Sequence, residues 1–187
     1  CFACGWKNIS ELKKTNEGFA NPKLKEWKPD RLIKKTVPQF KSISIEIIQP
    51  LLNPLKISVS PFGQWALTLG ITPEYLAACG VGTTKDNSTV FVHRSPNGSE
   101  VWSVKIVRYG WNGKREKTVL PYSPKGFQVT DGFTVPLYCP LKFDAKKPTY
   151  LVESEKTAVV CSFHLPAYNW LACGGATGLS TNKLAQL

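Results

Sequence analysis

The sequence predicts an all-β fold, specifically an antiparallel β-sandwich or barrel built from hairpins and meanders. Two observations lead to this prediction: apolar and polar residues alternate from about Phe40 onward, and Asn-Gly pairs separate some of the alternating runs. Turn signals also recur about every 8–12 residues, which is typical of sandwiches and barrels. Because no amphipathic helix is predicted between the strands, the pattern favours these folds over a βαβ arrangement.

Three regions are expected along the chain. Residues 1–39 are lysine-rich and weakly patterned, and they predict a basic N-terminal segment of short helix and coil that packs on the body. Residues 40–172 carry the alternating pattern and predict the antiparallel β domain. Residues 173–187 are small, polar and Gly-rich, and they predict a C-terminal tail.

The β domain is expected to open with three strands, within residues 43–47, 55–59 and 65–69. Apolar side chains occupy every second position in each run, as they do on the buried face of a strand. Four prolines lie near the ends of these runs: Pro50, Pro54, Pro61 and Pro73. Proline is tolerated at strand ends and edges, so these positions are compatible with the three strands.

Two Asn-Gly pairs predict hairpin tips. Asn97-Gly98 is expected to join strands at 89–93 and 101–109, and Asn112-Gly113 is expected to join the second of these to 117–122. Both residue types tolerate the positive φ that tight hairpin turns require.

Two further turns are predicted nearer the C-terminus. Asp131-Gly132 is expected to turn the chain within residues 127–138, and Ser154-Glu155-Lys156 is expected to join strands at 149–152 and 158–164. Glu153 and Glu155 would flank that second turn as solvated charges.

The net charge of +11 favours polyanionic partners. The hairpin around Asn112-Gly113 combines exposed aromatic and basic residue types, which are typical of contact surfaces. Together with the N-terminal segment it is the predicted binding surface. The predicted binding residues are Trp111, Lys114, Arg115, Arg108 and Tyr109.

Three sites fit the acceptor pattern for N-linked glycans: Asn8, Asn87 and Asn97. Asn87 and Asn97 fall in a predicted loop and a predicted hairpin tip, where a glycan is tolerated. The pattern therefore predicts glycosylation and passage through a secretory compartment.

Six cysteines, an even number, are compatible with three disulfides: Cys1, Cys4, Cys79, Cys139, Cys161 and Cys173. Fifteen pairings are possible, and the sequence does not choose among them. Because disulfides persist in oxidising compartments, a secreted or cell- or virion-surface location is expected. No apolar run approaches the roughly 18 residues of a membrane span. The chain starts at Cys1 and lacks methionine, which predicts a processed product or a fragment.

One stretch carries a family resemblance. Residues 53–70 read NPLKISVSPFGQWALTLG. In a chain with many tryptophans, cysteines and glycan acceptor sites, this stretch resembles the receptor-binding part of retroviral envelope surface subunits. The resemblance implies receptor binding during viral entry, or a domesticated descendant of that role, and it implies no particular site residues.

The leading hypothesis is an extracellular glycoprotein binding module that recognises a protein receptor or an anionic glycan, with a place in a larger assembly as a further hypothesis. No catalysis, cofactor or metal ion is expected. One alternative is a basic intracellular β-domain that binds nucleic acid and keeps its thiols free or bound to zinc, for which Cys1, Cys4, Cys161 and His164 are the candidate ligands. Another alternative is a hydrolase with Cys161 as nucleophile and His164 as base.

Overall fold

A computed structural model describes residues 42–122, 136–175, 178–179 and 181–184, and the side chains of 117–122 and 181–182 are outside that description. All described residues belong to the compact unit Lys35–Leu187. The predicted N-terminal segment 1–39 and the predicted turn at Asp131-Gly132 lie outside the described residues.

The fold is mixed α/β, so the prediction of an all-β sandwich or barrel is wrong. The described residues form a four-stranded antiparallel sheet, a two-stranded parallel sheet and several short helices. In chain order the elements are α1 (Ile45–Ile48), a 3-10 turn (Gln49–Leu51), α2 (Pro54–Ser58), α3 (Pro61–Leu67), α4 (Pro73–Ala78), β1 (Val81–Thr83), β2 (Thr89–Arg94), β3 (Val101–Tyr109), β4 (Arg115–Tyr122), β5 (Thr149–Val152), α5 (Glu155–His164), β6 (Asn169–Ala172) and α6 (Thr181–Leu184).

The three strands predicted within residues 43–69 are helices instead. The prolines explain this difference, because Pro54, Pro61 and Pro73 are each the first residue of a helix, where the missing N–H has no intrahelical partner to lose. A polar residue precedes each proline, and its side-chain oxygen accepts a hydrogen bond from a backbone N–H of the first turn. The capping residues are Asn53, Ser60 and Thr72.

Both predicted Asn-Gly hairpins are confirmed. β2 and β3 pair antiparallel across the Asn97-Gly98 turn, and β3 and β4 pair antiparallel across the Asn112-Gly113 turn. Gly98 and Gly113 adopt φ values of 76° and 70°. Glycine takes positive φ without steric cost, which is why it suits these turns.

Apolar side chains cover both faces of the antiparallel sheet. On one face, Phe91 and Tyr109 pack with Phe62 of α3 in the larger core cluster, which also includes residues of α5 and β6. On the opposite face, Val90 and Val92 pack with the segment that contains α1. The sheet therefore lies between two layers, which explains why β2 is buried at five consecutive positions.

A βαβ unit replaces the hairpin that was predicted around Ser154-Glu155-Lys156. β5 and β6 pair in parallel, and α5 connects them. Ser154 follows β5 by two residues and caps α5, since its Oγ accepts a hydrogen bond from the Thr157 N–H at 3.2 Å. The predicted strand at 158–164 is thus wrong, and so is the inference that no helix separates the strands.

The region after β6 contains the short helix α6. Lys183 of α6 is buried, and its ammonium group donates to the Cys173 carbonyl oxygen at 2.6 Å. No helix within the described ranges has the length and apolar character needed to cross a membrane. The predicted region boundaries at 39/40 and 172/173 stay predictions.

Candidate functional site

The tip of the β3–β4 hairpin carries three of the predicted binding residues. Trp111 exposes 65% of its surface there, and Lys114 and Arg115 are also exposed. The tip is closed by backbone hydrogen bonds of 2.9 Å from the Gly110 N–H to the Lys114 carbonyl and from the Gly113 N–H to the Gly110 carbonyl. The tip therefore carries one exposed aromatic and two exposed cationic side chains. We call Trp111, Lys114 and Arg115 the hairpin-tip surface.

Two residues from other elements hold this tip against the body. Lys156 of α5 donates to the Gly113 carbonyl oxygen at 2.8 Å, and its ammonium lies 5.0 Å from the ring centroid of Trp65. Burial lowers the pKa of Lys156 from its ordinary value. Trp65 of α3 is so close to Gly113 that any Cβ at this position would overlap the indole ring. Glycine at the tip thus allows the hairpin to dock on Trp65.

The other two predicted binding residues lie elsewhere. Arg108 is exposed on β3 and donates to Asp86 at 2.8 Å in an exposed ion pair. Tyr109 is buried in the core, with its ring 4.9 Å from that of Phe62, and burial raises its pKa well above the ordinary value. Of the five residues, Trp111, Lys114 and Arg115 are the ones exposed at the tip, whereas Tyr109, the cross-strand partner of Arg115, is buried.

A buried ion pair joins the antiparallel sheet to the start of α5. Lys105 of β3 donates to both carboxylate oxygens of Glu155, at 2.9 and 2.8 Å, and the Glu155 side chain is only 2% exposed. Glu155 is the first residue of α5, so its negative charge also lies where the helix dipole favours it.

His93 completes this buried network. Its Nδ1 lies 3.0 Å from the Pro136 carbonyl oxygen, which can only accept, so Nδ1 carries the hydrogen. Its Nε2 has no hydrogen-bond partner and lies 3.7 Å from Glu155 Oε1. Complete burial lowers the pKa of His93 below its usual value, although Glu155 opposes that shift. The ring is therefore neutral near pH 7.

The Lys105–Glu155 network lies at the carboxyl edge of the parallel pair, the part of an α/β unit at which ligands commonly bind. The loops after β5 and β6 meet there, because the Gly174 N–H donates to the Glu153 carbonyl at 3.0 Å. Glu153 is exposed at this edge whereas Glu155 is covered. The two carboxylates therefore do not form an accessible pair, and Glu155 is not the solvated charge that the sequence predicted.

The network could not be predicted from the sequence, because residues 93, 105 and 155 are far apart in the chain. One local signal is present in the sequence: Ser154 followed by Glu155, between two short apolar runs, is typical of a helix start.

The two glycan acceptor sites that the structure describes are exposed. Asn87 lies in the β1–β2 turn with φ 61°, and Asn97 lies at the β2–β3 tip. Asn8 is outside the described residues. Glycosylation at all three stays a prediction.

Four cysteines fall within the described ranges, and no disulfide joins any two of them: Cys79, Cys139, Cys161 and Cys173. Burial raises the pKa of Cys79 to about 12 and that of Cys139 to about 11, which makes both thiols poor nucleophiles. Cys1 and Cys4 are outside the described residues, so the disulfide prediction remains a prediction.

The candidate zinc and hydrolase residues Cys161 and His164 both lie on α5, three positions apart, where side chains are neighbours. Burial raises the pKa of the Cys161 thiol, which disfavours the thiolate. Within the part of the chain that the structure describes, no three His, Cys, Asp or Glu side chains group as metal ligands.

These observations define a basic α/β domain, with an antiparallel sheet joined to a βαβ unit through a buried ion pair. Residues 71–187 match the model of a domain of unknown function, DUF6371, and the chain belongs to that family. No curated protein matches the chain, and no solved structure does. The resemblance to retroviral envelope surface subunits stays a prediction, because no comparison bears on it.

Proposed function

We propose that this chain is a nucleic-acid-binding domain and that the hairpin-tip surface is its principal contact. The observation that carries the proposal is Trp111, which exposes 65% of its surface on a tip that Trp65 and Lys156 hold in place. An exposed indole offers a flat face on which a base can stack, and adjacent cations neutralise phosphates. Lys114 and Arg115 are exposed cations on the same hairpin tip.

The charge of the whole chain supports the same partner. A net charge of +11 attracts polyanions and speeds their association. Glu116 adds one negative charge next to the tip, so the local excess of positive charge requires both Lys114 and Arg115. A partner that combines repeated negative charge with planar rings fits this surface better than a simple anion does.

The mixed α/β fold does not choose between the hypotheses, because the secreted-glycoprotein and the nucleic-acid hypotheses both assumed a β-rich domain. The proposal therefore rests on the hairpin-tip surface and the net charge.

The experiment is an anisotropy titration of labelled single-stranded and duplex oligonucleotides with the full chain. Trp111→Ala is expected to weaken binding about tenfold through lost stacking. Lys114→Glu is expected to weaken binding and to lower the slope of log affinity against log salt by about 1. Lys56→Glu is the matched control, because Lys56 is an exposed lysine on α2. The affinity of this variant for the oligonucleotides should change much less. Absence of binding by the wild-type chain at about 50 mM salt would refute the proposal.

A second candidate function is the extracellular glycoprotein module, which the exposure of Asn87 and Asn97 on turns favours. Its test is the intact mass of natively expressed protein before and after glycosidase treatment. Loss of glycan mass on treatment would support it, and an unmodified mass would exclude it.

A further inference from the structure

Three aromatic side chains cluster on the parallel pair, away from the hairpin tip in sequence. Tyr150 of β5 and Trp170 of β6 are register partners, and their rings stack with centroids 5.0 Å apart and planes 20° apart. Tyr168, one residue before β6, meets both rings edge-on, at centroid distances of 5.2 and 6.3 Å. We call Tyr150, Tyr168 and Trp170 the aromatic platform.

The aromatic platform is fixed in position but remains accessible. The Trp170 Nε1–H donates to the Leu165 carbonyl oxygen at 3.1 Å, which orients the indole. Tyr150 nevertheless exposes 48% of its surface and Tyr168 exposes 36%. Large aromatic side chains contribute most to stability when they are buried, so an ordered but half-exposed stack indicates a contact surface.

Lysines border this platform. Lys142 and Lys147 line a recess of about 30 Å³ together with Tyr168 and Trp170, and Lys146 is exposed in the same loop. A recess of that volume has room for only about two water molecules. Asp144 is the acidic neighbour, and its Oδ1 accepts a hydrogen bond from the Lys146 backbone N–H. Three lysines against one aspartate leave the surroundings positive.

We propose that the aromatic platform binds single-stranded nucleic acid, with bases stacked on Tyr150 and phosphates near Lys142, Lys146 and Lys147. This inference rests on the proposed function and adds a second contact surface that prefers unpaired strands. In a duplex the base faces are stacked on one another, so an exposed ring can stack only on bases of an unpaired strand. The positive border favours a nucleic-acid strand over an apolar segment of a protein partner.

The test compares the full chain and its variants for binding to an oligothymidine strand and to a duplex of equal length. Tyr150→Ala is expected to weaken binding to the single strand about tenfold and to leave binding to the duplex nearly unchanged. Tyr150→Phe keeps the ring and should retain the affinity. Leu151→Ala is the matched control, since Leu151 is 42% exposed and its side chain points to the opposite face of the same strand.

The outcomes separate this inference from the proposed function. Loss of single-strand binding in Tyr150→Ala, with Leu151→Ala unaffected and both variants folded by circular dichroism, would support the platform. Single-strand binding that Tyr150→Ala leaves intact but Trp111→Ala abolishes would overturn the platform alone. No binding by the wild-type chain to either oligonucleotide would overturn both proposals. Capture of a protein partner that masks Tyr150, without any effect of Tyr150→Ala on oligonucleotide binding, would likewise overturn the platform.

Discussion

Lys105 on β3 and Glu155 at the start of α5 form a bidentate ion pair, in which the lysine ammonium lies 2.9 and 2.8 Å from the two carboxylate oxygens. Fifty residues separate the partners in the chain. The pair therefore connects the antiparallel sheet to the βαβ unit. The side chains of Lys105 and Glu155 are 17% and 2% exposed, so neither charge has much access to solvent.

Lys105→Ala is expected to lower the free energy of unfolding by about 3 kcal/mol, because it leaves the Glu155 carboxylate buried without its partner. Chemical denaturation followed by circular dichroism measures this change. The double variant Lys105→Met with Glu155→Leu should recover most of the loss, since apolar residues of similar size often replace a buried pair without cost.

Arg108→Ala supplies the control on the same strand. It breaks the exposed pair with Asp86, and pairs of that kind contribute about 0.5 kcal/mol or less. Equal losses in Lys105→Ala and Arg108→Ala would show that the buried pair has no special role in joining the antiparallel sheet to the βαβ unit.

The hairpins of this chain could be predicted from sequence because their signals are local. Asn97-Gly98 and Asn112-Gly113 specify positive φ within two residues, and both turns occur where they were predicted. The exposed tip residue Trp111 follows from the same local pattern.

The helices could not be predicted from alternation alone. A run of five residues with apolar positions 1, 3 and 5 is too short to distinguish the two-residue period of a strand from the 3.6-residue period of a helix. Proline after a polar residue was the deciding signal, as at Ser60-Pro61, where Ser60 caps α3. The buried network needed tertiary contacts, since nothing near Glu155 in the sequence indicates that Lys105 covers it.

The neutral His93 makes stability depend on pH. Burial lowers its pKa in the folded state, whereas the unfolded chain binds a proton near pH 6.5. Below about pH 6.5 the unfolded state therefore binds more protons, and the free energy of unfolding falls as the pH decreases toward the folded-state pKa. The slope in this window is at most about 1.4 kcal/mol per pH unit. Denaturation midpoints between pH 7.5 and about 5 measure it.

His93→Gln removes the titrating group, and its unfolding free energy should vary less with pH in that window even if it is lower overall. The chain has two histidines, and the second, His164, is exposed on α5 and provides the control. If His164→Gln flattens the pH dependence and His93→Gln does not, the assignment to His93 is wrong.

Gly113→Ala tests the docking of the hairpin tip on Trp65. Alanine at this position would keep a left-handed backbone conformation, which costs about 1 kcal/mol. Its Cβ would also overlap the indole ring of Trp65. Gly98→Ala is the matched control: its φ is similar at 76°, but nothing lies within 4 Å of its Cβ. Thermal unfolding should therefore show a larger loss for Gly113→Ala, by about 1–3 kcal/mol. Equal losses would mean that Trp65 does not constrain the tip.

The reactivity of Cys79 tests both the core and the predicted disulfides. Its thiol is 1% exposed, and burial raises its pKa to about 12, so little thiolate is present near neutral pH. In the native protein Cys79 should react with a thiol reagent only when the structure opens, and more slowly than the partly exposed Cys173. Peptide mapping by mass spectrometry after timed labelling measures both rates, and labelling in denaturant without reductant gives the total of free thiols.

Rapid native labelling of Cys79 would contradict its placement in the core. Failure to label in denaturant until a reductant is added would instead show that Cys79 is in a disulfide, and it would favour the extracellular hypothesis over nucleic-acid binding.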